Sequence, residues 1–168
     1  GSSMSSSDRR GFLTLLAGAP LAACGFVPAY GPSGPARGLQ GRIRIDDPGE
    51  KNAFDLVGRL QERLGRAQSP AWRLSYTISA YPVGVGITPD NATTRYNVVG
   101  SVAYSLRPVN EDRIVASGTV RNFVSYSASG TVVATDASAR DAYLRLMRML
   151  ADQIVTDLIA TSARWARP

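Results

Sequence analysis

Histidine is absent from this sequence, and cysteine occurs once, at Cys24. These gaps remove zinc centres, Ser-His-Asp triads and Cys-His dyads. Lysine also occurs once, at Lys51, close to a predicted helix start and with no serine nearby in sequence, so a Ser-Lys pair is not indicated. No glycine-rich phosphate loop is present. The longest apolar stretch, Phe12 to Ala23, falls short of the ~20 residues that span a bilayer. An enzyme would have to run on carboxylates, and a carboxylate hydrolase needs two acids converging in a cleft roughly 5–10 Å apart. The acids here lie mostly at turns, helix starts and solvated helix faces. No catalytic residue, metal site or cofactor is expected.

What the chain has instead is arginine. Eighteen of its nineteen basic residues are Arg, and the formal net charge is +6. Guanidinium is always charged and binds phosphate bidentately. The composition therefore favours an anionic partner: phosphorylated lipid, an acidic protein or nucleic acid. Apolar content is 44% of 168 residues, enough for one globular domain with its own core.

Leu21-Ala22-Ala23-Cys24 closes a signal-like leader: an apolar residue, two small residues, then the single cysteine. This is the pattern of a bacterial lipoprotein processing site, in which the thiol takes a diacylglycerol and Cys24 becomes the new N-terminus. Residues 1–3, before Met4, read as a cloning scar. Residues 4–23 read as the signal peptide. Within it Arg9-Arg10 followed by Phe12-Leu13 resembles a twin-arginine export signal, and equally serves as the positive region of an ordinary secretory signal. Export makes nucleic acid the least fitting anionic partner, and none is expected. Residues 24–40, rich in Pro and Gly, read as an irregular tether behind the lipidated Cys24. Residues 41–168 form the single folded domain.

Gly41 to Asp46 alternates as a short strand. Asp47-Pro48-Gly49-Glu50 then reads as a helix start, with Asp47 at the N-cap, and the helix runs to about Arg66. Ala53, Val57, Leu60 and Leu64 share its apolar face, with Phe54 and Leu56 beside it. Three period-2 strands follow, around Trp72–Ala80, Arg95–Arg107 and Arg113–Arg121. Ser138-Ala139-Arg140-Asp141 starts a second helix that reaches about Arg164, with Tyr143, Leu146, Leu150, Ile154 and Leu158 as its stripe. The expected fold is α+β: two helices on one face of a four-stranded, mostly antiparallel sheet, in the order β-α-β-β-β-α.

The other face of that sheet is expected to stay open. Arg73, Arg95, Arg107, Arg113 and Arg121 fall on it, interleaved with Ser and Thr. Such a donor-rich positive surface suits phosphorylated lipid; it also suits a plain solvated face whose arginines discourage edge pairing. Between the first two long strands, Val83, Val85 and Ile87 alternate with glycine between two prolines. They read either as an apolar loop tip that contacts a partner, or as strands that continue until a turn at Thr88 to Asn91.

Cys24-Gly25-Phe26-Val27-Pro28-Ala29-Tyr30-Gly31 resembles the start of mature lipoproteins of the LptE family, which assemble lipopolysaccharide. The element order and Ala151-Asp152-Gln153-Ile154 are similar as well. The resemblance implies a non-enzymatic lipoprotein held in the outer membrane by its lipid anchor, with its domain on the periplasmic side and within the β-barrel LptD. There it plugs the barrel, helps it fold, and assists delivery of lipopolysaccharide to the outer leaflet. Beside that resemblance, the residues themselves lead to the expectation that the arginine face contacts lipopolysaccharide and that Val83, Val85 and Ile87 contact the barrel. An auxiliary lipid-binding lipoprotein of an ABC-type lipid transport system remains an alternative, and would show an apolar cavity between helices and sheet.

Overall fold

The computed structural model describes residue 31, residue 34 and residues 38–87 and 93–166. Cys24, its leader and the tether up to residue 37, apart from residues 31 and 34, lie outside the described residues. The elements are β1 (Ile43–Ile45), α1 (Lys51–Leu64), β2 (Trp72–Ile87), β3 (Thr93–Pro108), β4 (Ala116–Ser127) and α2 (Val132–Trp165). They form a four-stranded sheet in the spatial order β1-β2-β3-β4 with both helices on one face. β2-β3-β4 is an antiparallel meander, whereas β1 pairs with β2 in parallel over three residues. This is the expected α+β fold.

The strand alternation sorts the residues as it should. Leu74, Val98, Val102, Tyr104, Leu106, Val120 and Val124 are buried against the helices. From α1 come Ala53, Leu56, Val57, Leu60 and Leu64, and from α2 come Ala142, Leu146, Met147, Leu150, Ala151, Ile154, Val155 and Leu158. Burial of side chains this size is worth about 1.5–3 kcal/mol each. Gly100 lets α2 sit down on the middle of the sheet: a Cβ there would lie 2.8 Å from Leu146 Cδ2 and 3.3 Å from Leu150 Cδ1. Gly118 does the same for the Tyr104 ring, whose hydroxyl would stand 2.8 Å from an added Cβ. The helices are tied to each other by a fork: Arg59 Nε and Nη2 each donate to Asp152 at 3.0 Å, while Nη1 reaches Glu62 at 3.0 Å.

Element lengths divide the sheet. At ~3.3 Å per residue β2 and β3 each run ~50 Å. α2, with 34 residues at 1.5 Å, matches that length, but the 14 residues of α1 cover only about 20 Å. The end of α1 at Leu64 lies beside Gly41, and its start lies level with Tyr76 and Ile78. Past Ala80, therefore, α2 alone roofs the strands. On that stretch Tyr96 and Tyr126 stack with centroids 5.4 Å apart, facing the helix. β4 forms one edge of the sheet, where the Phe123 N–H donates to the side-chain Oδ1 of Asn122 at 2.8 Å.

Several boundaries differ from expectation. Glu50, not Asp47, is the N-cap of α1, and its side chain makes no capping bond. Phe54 is 62% exposed, outside the core stripe. α2 starts at Val132, capped by Thr131 whose Oγ1 accepts from Ala134 N–H, about two turns before the expected start at Ser138. Its first turns carry exposed Val132 and Val133, so no apolar stripe announces them. The third long strand starts at Ala116 rather than Arg113, and Ile114 is half exposed in the preceding loop. The strands around Val83 do continue: Val83 pairs with Asn97, and β2 ends only at Ile87. Pro82 fits there because β1 stops at Ile45, leaving this part of β2 as a free edge where no N–H is needed.

Candidate functional site

The open face of the sheet is laid out by the register in cross-strand rows. Starting where the chain enters, Arg44 of β1 stands beside Arg73 of β2 and Arg107 of β3. Next come Ser75, Ser105 and Ser117, then Thr77, Ala103 and Thr119, then Ser79, Ser101 and Arg121. The row beyond is Tyr81, Val99 and Phe123, and the one after it Val83, Asn97 and Ser125. Arg95 closes the face opposite Ser127.

Three like charges side by side at one end are unfavourable unless partnered. Arg73 Nε donates to Asp46 Oδ1 at 2.6 Å. Burial pushes the Asp46 carboxyl up, but hydrogen bonds from Arg73 and Ser75 and the charges of Arg73 and Arg44 outweigh it and hold the group below its ordinary value. Arg107 Nη1 donates to Ser105 Oγ at 3.2 Å, and its Nε lies 3.5 Å from Asp112. That Nε is buried and makes no hydrogen bond, so the ion pair is charge contact alone. Arg44, Asp46, Asp47, Arg73 and Val109 line a shallow cleft of about 560 Å³ beside this row.

The five arginines singled out in the sequence thus do not form one cluster. Arg73 and Arg107 are at one end and already paired. Arg95 is at the other end and Arg121 midway between, in the row of Ser79 and Ser101; both are exposed and without an ion pair among the described residues. Arg95 and Arg107 are twelve positions apart on β3, roughly 40 Å. Arg113 is not on the sheet at all: β4 begins three residues later, and Arg113 Nε instead meets Glu111 at 3.3 Å in the loop. Arg44, which sequence reading did not select, completes the near row.

The open face is also less polar than expected. Tyr81 is 55% exposed and Phe123 57%, with Val99 half-buried between them across all three long strands. Val83 and Val85 extend this apolar patch toward the end of the ribbon. Val85 is the extra residue of a β-bulge, sitting where Gly84 pairs with Tyr96 and Gly86 with Arg95. Ile87 is the last residue of β2, and nothing of its side chain is described. The signal for the row was available, since Tyr81 and Phe123 continue the same period-2 alternation as Arg73 and Arg121.

Chemically this face offers guanidinium and hydroxyl donors and a flat apolar band. Among the described residues no cluster of three His, Cys, Asp or Glu side chains is placed to hold a metal. The largest shift among the tyrosines belongs to a core group. Burial, and then the Asp157 carboxylate that accepts its hydroxyl at 3.3 Å, pushes the Tyr104 phenol up to about 12.

The family model described as LptE, lipopolysaccharide-assembly, matches residues 42–158, well over half of the chain. No curated protein matches the chain. Among solved structures, a candidate lipoprotein of Caulobacter crescentus CB15 is similar at 22% identity and a TM-score of 0.62, covering 75% of this chain and 93% of that one. The rare lipoprotein B of Shewanella oneidensis is similar at 13% identity and a TM-score of 0.58, with 75% and 98% covered. A minor lipoprotein of Acinetobacter baumannii follows at 16% identity and 0.57, with 73% and 92% covered. At these identities the likeness is one of fold.

Proposed function

The chain belongs to the LptE lipopolysaccharide-assembly family, and from that membership we propose that it is an outer-membrane lipoprotein, anchored through acylated Cys24, that plugs and helps fold the β-barrel LptD and assists passage of lipopolysaccharide to the outer leaflet. Its role is assembly and binding rather than catalysis. The observation that carries this reading is the open sheet face. A band of Tyr81, Val99 and Phe123, continued by Val83 and Val85, lies beside the unpaired Arg121 and Arg95. Exposed apolar area of this kind marks a protein contact, and free guanidinium beside it suits the phosphates of lipopolysaccharide. Val83 and Val85 then face the barrel wall, while Arg95 and Arg121 carry more of the lipid contact than the paired Arg73 and Arg107, and Arg113 carries little.

The test is recovery from detergent-solubilised outer membranes, with photo-crosslinkers at Val83, Val85 and Phe123. A crosslinked adduct with a large β-barrel protein is the expected result. Adducts only with an inner-membrane transporter would overturn the barrel role. An auxiliary carrier in an ABC-type lipid system would need an apolar cavity under the helices. Leu146 and Leu150 fill that space against Gly100, so nothing there favours it.

A further inference from the structure

We propose that the end of the domain where the tether enters is a docking surface for an anionic phospholipid leaflet, built from Arg42, Arg66 and Arg164 around the paired rings of Trp72 and Trp165. The chain arrives at this end through residues 38–41. Gly41 N–H donates to Leu64 O at 2.8 Å, and Gly41 O accepts from Gln68 N–H at 3.0 Å, so Arg42 and the Gly65-Arg66 turn are held side by side. The Arg42 guanidinium lies 5.0 Å over the Trp72 ring. Trp72 in turn meets Trp165 edge-on, with centroids 5.3 Å apart at 80°. Trp165 is fixed by its Nε1, which donates to Thr161 Oγ1 at 3.1 Å. Arg164 precedes it in the last turn of α2.

The charge balance singles these three arginines out. Arg42, Arg66 and Arg164 are exposed and make no ion pair among the described residues. At the same end Glu111 meets Arg113, Asp112 meets Arg107 and Asp46 meets Arg73, while Asp47, without an ion pair among the described residues, shares a cleft with Arg66 and with the likewise exposed Arg44. What faces outward is therefore a surplus of cations around the partly exposed Trp165, with Trp72 buried directly behind it. Arginine beside a membrane is drawn to anionic headgroups, and tryptophan settles at the interface between headgroup and acyl chain.

The place of the tether argues for a lipid leaflet as the occupant. Residues 25–40 join Cys24 to this end, a reach of at most ~55 Å when fully extended at ~3.3–3.6 Å per residue. The inference rests on the lipoprotein reading for that geometry. An anchor at Cys24 alone does not fix which end of the domain faces the leaflet. Three arginines and an aromatic pair at its point of entry orient the domain, with Arg42, Trp72 and Trp165 toward the leaflet and the Tyr81–Val99–Phe123 row away from it.

The binding itself needs no acyl group, so it is tested on the full chain carrying Cys24→Ser. Trp72 and Trp165 are the two tryptophans of the sequence, so intrinsic fluorescence reports on this end alone. Vesicles rich in phosphatidylglycerol and carrying brominated acyl chains are expected to quench it, and added salt to reverse the effect. Pure phosphatidylcholine vesicles are expected not to quench. Arg42→Glu, Arg66→Glu and Arg164→Glu together are expected to weaken binding about a hundredfold, at about fivefold for each arginine lost. The milder pair Arg66→Gln and Arg164→Gln, which leaves Arg42 on Trp72, is expected to weaken it about twentyfold with an unchanged circular-dichroism spectrum. Arg140→Glu with Arg148→Glu, exposed on α2 and far from this end, is expected to have no effect. Equal weakening by both sets, or vesicle binding without quenching, overturns the proposal. So does binding lost for lipopolysaccharide micelles but kept for phosphatidylglycerol vesicles in the triple variant. None of these outcomes bears on recovery of a barrel partner, which tests the proposed function separately.

Discussion

The two halves of the sheet share one alternation but not one roof. Near the chain entry, rows from Trp72 to Ile78 lie under both helices, with the Arg59–Asp152 fork holding the helices together. Past Ala80 the same strands carry on under α2 alone, and Tyr81, Val83, Val85 and Phe123 are left exposed on the other face. The first half invests its apolar residues in the interior. The second buries Val98 and Val124 but leaves Tyr81, Val83, Val85 and Phe123 largely exposed to the outside. That contrast is what marks the second half as the part available to a partner.

The strongest way to test the division is to remove one side chain from each half. Leu146→Ala empties the space over Gly100 and is expected to lower stability by about 2–5 kcal/mol, read from the denaturant midpoint. Tyr81→Ser with Phe123→Ser should change stability by no more than about 0.5 kcal/mol per site while abolishing crosslinking to a barrel. A comparable loss of stability in the double variant would erase the distinction between the halves. Hydrogen exchange gives a graded form of the same comparison. Amides of β2 from Leu74 to Ile78 are expected to exchange through global unfolding, and those from Val83 onward through local opening at higher rates. Uniform protection along β2 would show that α2 alone stabilises the far half as well as both helices do the near one.

Titration probes the near half from two sides. The Asp46 carboxyl is depressed when folded, so its contribution is present above its unfolded value of 3.8 and lost as pH falls through the lower folded value. Asp46→Asn should therefore be less stable than the parent at neutral pH, and the two should converge in acid. For Tyr104 the sign reverses. Its folded value of about 12 lies above the ordinary 10.0, so its stabilisation is intact below pH 10 and declines as pH rises toward 12. Tyr104→Phe should flatten that decline, with Tyr76 and Tyr126, whose phenols burial also raises, supplying the remainder. The smallest effect is expected from Arg113→Ala. Its loop ion pair with Glu111 is exposed on both sides, so neither stability nor lipopolysaccharide binding should move measurably.

Where one physical rule acted alone, the fold could be read from the chain. Period-2 alternation placed Leu74, Val102 and Leu106 inward, and the 3.6-residue stripe identified Leu146, Leu150 and Ile154. Rules that compete were harder. Pro82, Gly84 and Gly86 carry turn chemistry, yet a free edge and a bulge accommodate them within a strand. Val132 and Val133 lie in helix without being buried, so periodicity could not date the start of α2. The site was half legible. The outward arginines of β2, β3 and β4 were in place, but only strand pairing could show that they are spread along the face, with Arg73 and Arg107 at one end, Arg121 midway and Arg95 at the other end. That Tyr81 and Phe123 interrupt the polar face was open to the same alternation, and burial confirms it. Arg113 failed because alternation does not say where a strand begins.

The Asn122 side chain has a consequence of its own. β4 is a long strand with one side unpaired, and an N–H on such a side is an invitation to any neighbouring strand. A guest lodged inside a cylinder of strands would meet that invitation at every turn and risk becoming one more stave in the wall. By answering the Phe123 N–H from within its own chain, Asn122 withdraws the offer at the middle of β4. The domain can then touch such a wall with its side chains and still let go of it as a separate body.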